Sequence, residues 1–264
     1  MNILTHLPLR DIEEDRLGTQ KLIKQVVNII DNHPSYIPYA ISINGAWGTG
    51  KSTVLNFLEN DLDKEKYTII RFNSWDVTDE NLLIRNLFEE VQYALSGIET
   101  KIVNGFKRYS AKLLPPIIKP LSFIYSVSQG ATPEVAAAIS EGSKEILNQV
   151  VGDQSEKPLS IIKKELAELL KTYFIGTDKK IIVMIDEVDR LFPDELIMIL
   201  QMIKSGLDLP GIVFVLAADR EVILNALNTI NITQAEEYLD KIFQKNIYIN
   251  SEIKFKDICT MEFY

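Results

Sequence analysis

One cysteine, Cys259, and two histidines, His6 and His33, are all the thiol and imidazole groups in a chain of 264 residues. A lone cysteine excludes an intramolecular disulfide framework and fits a reducing compartment. As a small apolar side chain it needs no further role. The histidines stand at no metal-ligand spacing and lie near element ends, so neither points to a metal site. Excess positive charge is missing as well: 28 Lys and Arg face 37 Asp and Glu, for a net charge of -9 and a pI near 4.9. Nucleic-acid binding needs many cations facing phosphate, so the net charge does not support it, and only a local basic patch stays open. No charged segment followed by a long apolar core opens the chain, so no signal peptide is expected and the cytoplasm is the expected compartment. What remains is an ordinary soluble composition, 46% hydrophobic and 25% charged, enough for one large domain with a proper core or two small ones.

Against this plain background one stretch stands out. Gly45, Ala46, Trp47, Gly48, Thr49, Gly50, Lys51 and Ser52 fit G-x-x-x-x-G-K-[ST]. In that pattern backbone N–H groups wrap the phosphates of a nucleotide, Lys51 reaches the β and γ phosphates, and Ser52 holds Mg²⁺. The context agrees with the pattern. Ala40 to Ile43 supplies a strand before the loop, and Thr53 begins a helix after it whose positive N-terminal end faces the anion. Trp47 is not required by the loop chemistry. It reads as aromatic support for the core, under the loop or against Trp75, ahead of nucleotide stacking.

Apolar residues recur at helical spacing from Asp15 to Asn32, and His33 to Pro38 closes that helix. The helix after the loop is expected from about Lys51 to Leu62, a strand over Tyr67 to Phe72, and a further helix from Asp79 to Ser96 with Asp79 as N-cap. Residues 97–158 are the least regular part. Lys107, Arg108 and Lys112 precede a proline-rich apolar stretch, and its longest uncharged run, Pro120 to Pro133, falls short of the ~18 to 20 apolar residues of a membrane span. This segment reads as a mostly helical insertion that packs on protein or rests at a membrane surface through residues 107–125. Pro158 to Phe174 is helical again. Lys180 to Ile185 and Gly211 to Ala217 are continuous apolar runs, as in strands buried on both faces of a parallel sheet. Helices are expected over Asp194 to Gly206, Glu221 to Leu227 and Ala235 to Gln244. Strands alternating with helices define a three-layer α/β fold with a mainly parallel central sheet.

Asp186 closes a buried strand, where a phosphate loop needs a carboxylate on the metal side beside the Ser52 hydroxyl. Mg²⁺ keeps several waters and prefers hard oxygen, so Asp186 sits beside it, usually through water. Glu187, the next residue, is placed to orient and deprotonate an attacking water. The alternative is an acidic strand end that caps the following helix. Arg190 and Arg220 are the cations nearest these strand ends. They either neutralise phosphate charge, in this subunit or a neighbour, or form surface ion pairs with Asp194 or Glu221. No Asn-Lys-x-Asp guanine-reading motif occurs.

These residues resemble a known family, the KAP P-loop NTPases. The resemblance rests on Asp15-Arg-Leu-Gly18, Gly45 to Ser52, Phe72-Asn-Ser-Trp75, Ile185-Asp-Glu-Val-Asp-Arg190, Ala218-Asp-Arg-Glu-Val222 and Tyr238 to Gln244. The blocks come in family order. The family is similar to the ATPase branch whose sheet has an added strand, which implies adenine as the base, ATP and Mg²⁺ as ligands, and Asp219 in the place of a polar γ-phosphate sensor. Asp219 reads equally well as an N-cap for the helix from Glu221. Family members often carry a membrane-spanning insertion where residues 97–158 lie here. This insertion is too polar for two spans, so peripheral contact at the inner face of the cell membrane is the residual expectation. The family often has a second Asp at Glu187, and either carboxylate serves. Members usually continue into a further helical region, so the lid following a single domain over 1–264 is expected to be short or incomplete. The resemblance implies an ATP-driven conformational change in a bacterial setting such as phage defence, acting as a homo-oligomer or through a partner protein. A low-turnover, nucleotide-bound switch or scaffold is the second reading.

Overall fold

Among the described residues, four largely apolar runs and one short polar segment form five parallel strands. The computed structural model describes residues 8–10, 15, 18–76, 80–114 and 157–249. The strands are β1 (Tyr39–Asn44), β2 (Tyr67–Asn73), β3 (Lys180–Asp186), β4 (Ile212–Ala218) and β5 (Lys245–Tyr248), in the sheet order β2-β3-β4-β1-β5. Every neighbouring pair is parallel. All seven residues of β3 and of β4 are buried, as expected for central strands covered on both faces. The strand that falls between the loop helix and Asp186 in sequence, β2, lies at the edge. The strand that separates β1 from β3 in space is β4, which comes later in the chain.

The helices are α1 (Gln20–Asn32), α2 (Lys51–Asp61), α3 (Glu80–Leu95), α4 (Thr100–Leu113), α5 (Leu159–Thr177), α6 (Pro193–Gln201), α7 (Arg220–Thr229) and α8 (Ala235–Asp240). Ile23, Val26 and Ile30 of α1 and Val54, Leu55, Phe57 and Leu58 of α2 share one core with Ile41, Ile43, Ile182, Met184, Val213 and Val215 of the sheet. Alternate residues of the same strands, among them Val183, Ile185, Phe214 and Leu216, are buried on the opposite face. The result is the three-layer α/β arrangement.

Several ends differ from the periodic pattern for identifiable reasons. The helix expected from Asp15 is described from Gln20, and ahead of it the Asp15 carboxylate accepts from the Thr19 N–H and hydroxyl. The helix expected to reach Gln244 stops at Asp240. Gln244 is recruited by the sheet, with its N–H on the Ala40 carbonyl and its side-chain oxygen accepting from the Ala40 N–H. The helix from Pro193 ends in a wide π-helical turn, Met202–Gly206, rather than continuing as regular helix. β5, absent from the sequence reading, is short and half polar, and only its pairing with β1 makes it a strand. α4 was likewise hidden within the irregular segment. The expected N-cap Asp79, residues 115–156, His6 and Cys259 lie outside the described residues.

The described residues fall into two compact units, one ending at Glu90 and resuming at Lys171, the other spanning Val91–Leu170. In the second unit α4 buries Ile102, Phe106 and Tyr109. Arg108 and Lys157 both pair with Glu165, at 3.7 and 2.6 Å.

Candidate nucleotide site

The site is assembled at the C-terminal ends of β1 and β3, within the first unit. The tip of β1 is fixed by buried polar contacts: the Ser42 hydroxyl donates to Asn44 Oδ1 at 2.7 Å, and Asn44 Nδ2 donates to the Ile247 carbonyl at 3.4 Å. The Gly45 N–H then bonds the Ala218 carbonyl at 3.1 Å, which ties the start of the loop to β4. Gly48 and Gly50 take φ of 80° and 86°, the left-handed region open to glycine. A Cβ on Gly45 would overlap the Thr49 hydroxyl, which donates to the Ala46 carbonyl at 2.8 Å. Lys51 follows as the first residue of α2, so the loop ends at a helix N-terminus whose free N–H groups suit an anion.

Lys51 Nζ lies 3.2 Å from Asp189 Oδ2 and donates to the carbonyls of Gly45 at 3.0 Å and Ala46 at 3.4 Å. The side chains of this pair are only 10% and 7% exposed. The loop and the end of β3 together line a cavity of about 620 Å³. Trp47, Gly48, Gly50, Lys51, Ser52 and Thr53 form one side, and Asp186, Glu187, Asp189 and Arg190 the other. The Thr53 hydroxyl accepts from the Leu9 N–H at 3.1 Å, which ties the N-terminal segment to α2.

At the β3 end, Ser74 donates to the Asp186 carbonyl at 2.9 Å, and Asp186 Oδ1 accepts the Glu187 N–H at 2.9 Å. Arg71, on β2, places its guanidinium 3.8 Å from Asp186 Oδ2 and 4.0 Å from Glu59. Glu187 occupies φ 59°, ψ 23°, a left-handed conformation uncommon for a side chain with a Cβ. It kinks the chain into a single 3-10 turn, Val188–Arg190, which carries Asp189 and Arg190 to the cleft. Arg190 Nη2 pairs with Glu187 Oε1 at 3.0 Å.

The structure thus brings Lys51, Ser52, Thr53, Asp186, Glu187 and Arg190 to one cavity. Asp219 and Arg220 are not among its lining residues. Asp219 caps α7, accepting the Glu221 N–H at 3.1 Å, and Arg220 pairs with Asp240 at 3.1 Å and Asn246 at 3.4 Å. Trp47 does not support the core. It is 71% exposed, and its ring lies against the Arg190 guanidinium.

The KAP family P-loop domain matches residues 19–260. The chain belongs to that family. A nucleotide site is what membership in the KAP P-loop NTPases implies. The phage T7 exclusion protein of Escherichia coli (strain K12) is 27% identical over 251 residues, which cover 89% of this KAP chain and 33% of that protein. The chain therefore spans about a third of the length of this relative. Among solved structures, the ORC2 protein of Aeropyrum pernix (ADPNP-ADP complexes) aligns with 93% of the chain and 50% of its own, at 13% identity and a TM-score of 0.38. Cdc6p of Pyrobaculum aerophilum aligns over 89% and 46%, at 15% identity and a TM-score of 0.42.

Two residues of the KAP site went unassigned in the sequence. Asp189 lies three positions after Asp186, a spacing that returns it to the same side only if a tight turn follows the strand. Arg71 had a signal of its own, a single charge inside the apolar run of β2. Among the described residues no helix is long and apolar enough to cross a membrane.

Proposed function

We propose that this KAP domain binds ATP with Mg²⁺ and hydrolyses the β-γ phosphoanhydride, using the energy for a conformational change. The observation that carries this is the meeting of Lys51, Ser52, Asp186 and Glu187 around one cavity beside a glycine loop and a helix N-terminus. The Ser52 hydroxyl and the Asp186 carboxylate are hard oxygen donors of the kind that suit Mg²⁺, and they would hold it. When bound, the ion neutralises charge on the phosphate oxygens. Lys51 and the loop N–H groups bind the phosphates, and Glu187 orients water and takes its proton. The domain organisation belongs to this reading: one domain over 1–264 with residues 97–158 inserted in it, of which the helix α4 is described. The similarity to a phage exclusion protein supports a role in phage defence, executed with a partner protein or a second copy. Contact with an anionic membrane surface through residues 107–125, of which 115–125 lie outside the described residues, is the alternative to packing on protein, and failure to float with anionic vesicles removes it.

A second reading, a low-turnover switch, has its own observation: the Lys51 ammonium is held by Asp189. Steady-state hydrolysis separates the two. Wild type is expected to turn over while Lys51→Ala and Glu187→Gln are expected to lose activity, and equal rates in all three contradict the proposal. A tightly retained nucleotide with turnover that no partner raises favours the switch.

A further inference from the structure

Arg190 has partners that a phosphate-neutralising cation does not need. Besides the 3.0 Å contact to Glu187, its Cζ lies 4.7 Å from the ring centre of Trp47 and 5.5 Å from that of Trp75. The rings belong to separate elements, Trp47 to the phosphate loop and Trp75 to the turn after β2. They are 71% and 54% exposed, so burial in the core is not what keeps two large aromatics there. A guanidinium accounts for both. Its flat faces pack on indole rings while its N–H edge stays free to bond a carboxylate.

Glu187 needs such a holder. Its backbone is left-handed, so its direction is not set by the pleat of β3, and among the described residues Arg190 is its ion-pair partner. We propose that Arg190 is a positioning residue for Glu187. Its guanidinium, held by Trp47 and Trp75, fixes the Glu187 carboxylate at the cleft, so the phosphate loop and the end of β2 set where water is activated. This role rests on the reading of Glu187 as the base of ATP hydrolysis.

The test is a double-mutant cycle on the full chain with Mg²⁺ and ATP, reading kcat and KM for wild type, Arg190→Ala, Glu187→Gln and the double variant. Arg190→Ala is expected to lower kcat by about 10²-fold, the scale of a misplacement of roughly 1 Å, with KM unchanged. In the Glu187→Gln background the same substitution is expected to cause no further loss. Arg190→Lys keeps the charge without the planar face, is expected to give an intermediate kcat, and serves if the alanine variant does not fold. Equal losses in both backgrounds, a raised KM at constant kcat, or full activity of Arg190→Lys overturns the positioning role and leaves hydrolysis standing. Absence of turnover in wild type overturns the hydrolysis reading, and the positioning role with it.

Discussion

Replacing Asp189 with Asn removes the negative charge that holds Lys51 inside the cleft while keeping the shape of the side chain. In the structure Lys51 Nζ sits 3.2 Å from Asp189 Oδ2, with both side chains nearly buried. Phosphate must compete for the same ammonium. A hydrogen bond between charged groups contributes about 1.5–3 kcal/mol. Each 1.4 kcal/mol is about a tenfold change in affinity, so Asp189→Asn is expected to tighten metal-free nucleotide binding by about tenfold to about a hundredfold. The ligand-free protein should lose stability in the same variant, since Lys51 keeps the Gly45 and Ala46 carbonyls but no counter-charge. Isothermal titration with ADP in the presence of a chelator measures the affinity. Weaker binding of metal-free nucleotide refutes the competition argument. Weaker binding only when Mg²⁺ is added assigns Asp189 to the metal side of the site instead.

Gly211 takes φ of 86°, and a Cβ there would overlap the buried Phe174 ring, so Gly211→Ala is expected to cost about 2–4 kcal/mol in chemical denaturation. Nucleotide affinity should be unchanged, because the substitution lies at the opposite end of β4 from the loop. The His33 pKa is lowered from 6.5 by burial first and by the Lys180 charge, against the raising effect of the Ile37 carbonyl it bonds at 2.9 Å. The unfolded chain therefore binds that proton more readily, and the His33 contribution is present above pH 6.5 and lost as pH falls through the folded pKa. Thermal melts of wild type and His33→Gln across that interval should converge at the acid end, and a constant difference contradicts the linkage.

The phosphate loop was legible because its chemistry demands glycines at φ values closed to other residues, and Gly48 and Gly50 take those values. β3 and β4 were legible because strands buried on both faces read as unbroken apolar runs. β5 was not, since Lys245 to Tyr248 carries no apolar pattern and owes its conformation to β1. The fate of Gln244 was hidden for the same reason, its partner Ala40 being remote in sequence. Within the site, sequence adjacency pointed to Asp186 and Glu187. It could not show that the left-handed turn at Glu187 carries Asp189 back to Lys51 or brings Arg190 to two tryptophans. Trp47 illustrates the limit most clearly, because apolar size suggested core packing while the ring is exposed against a cation.

If one cavity both binds ATP and cleaves it, the nucleotide retained after a single turnover reports both steps. Protein mixed with a stoichiometric amount of ATP and Mg²⁺, then quenched and analysed for bound nucleotide, should show ATP converting to ADP in wild type. Glu187→Gln should retain intact ATP, with conversion slower by about 10²- to 10⁴-fold, and Lys51→Ala should retain little nucleotide. Conversion in Glu187→Gln at the wild-type rate, or intact ATP persisting in wild type, would rule out hydrolysis by Glu187 in this cavity.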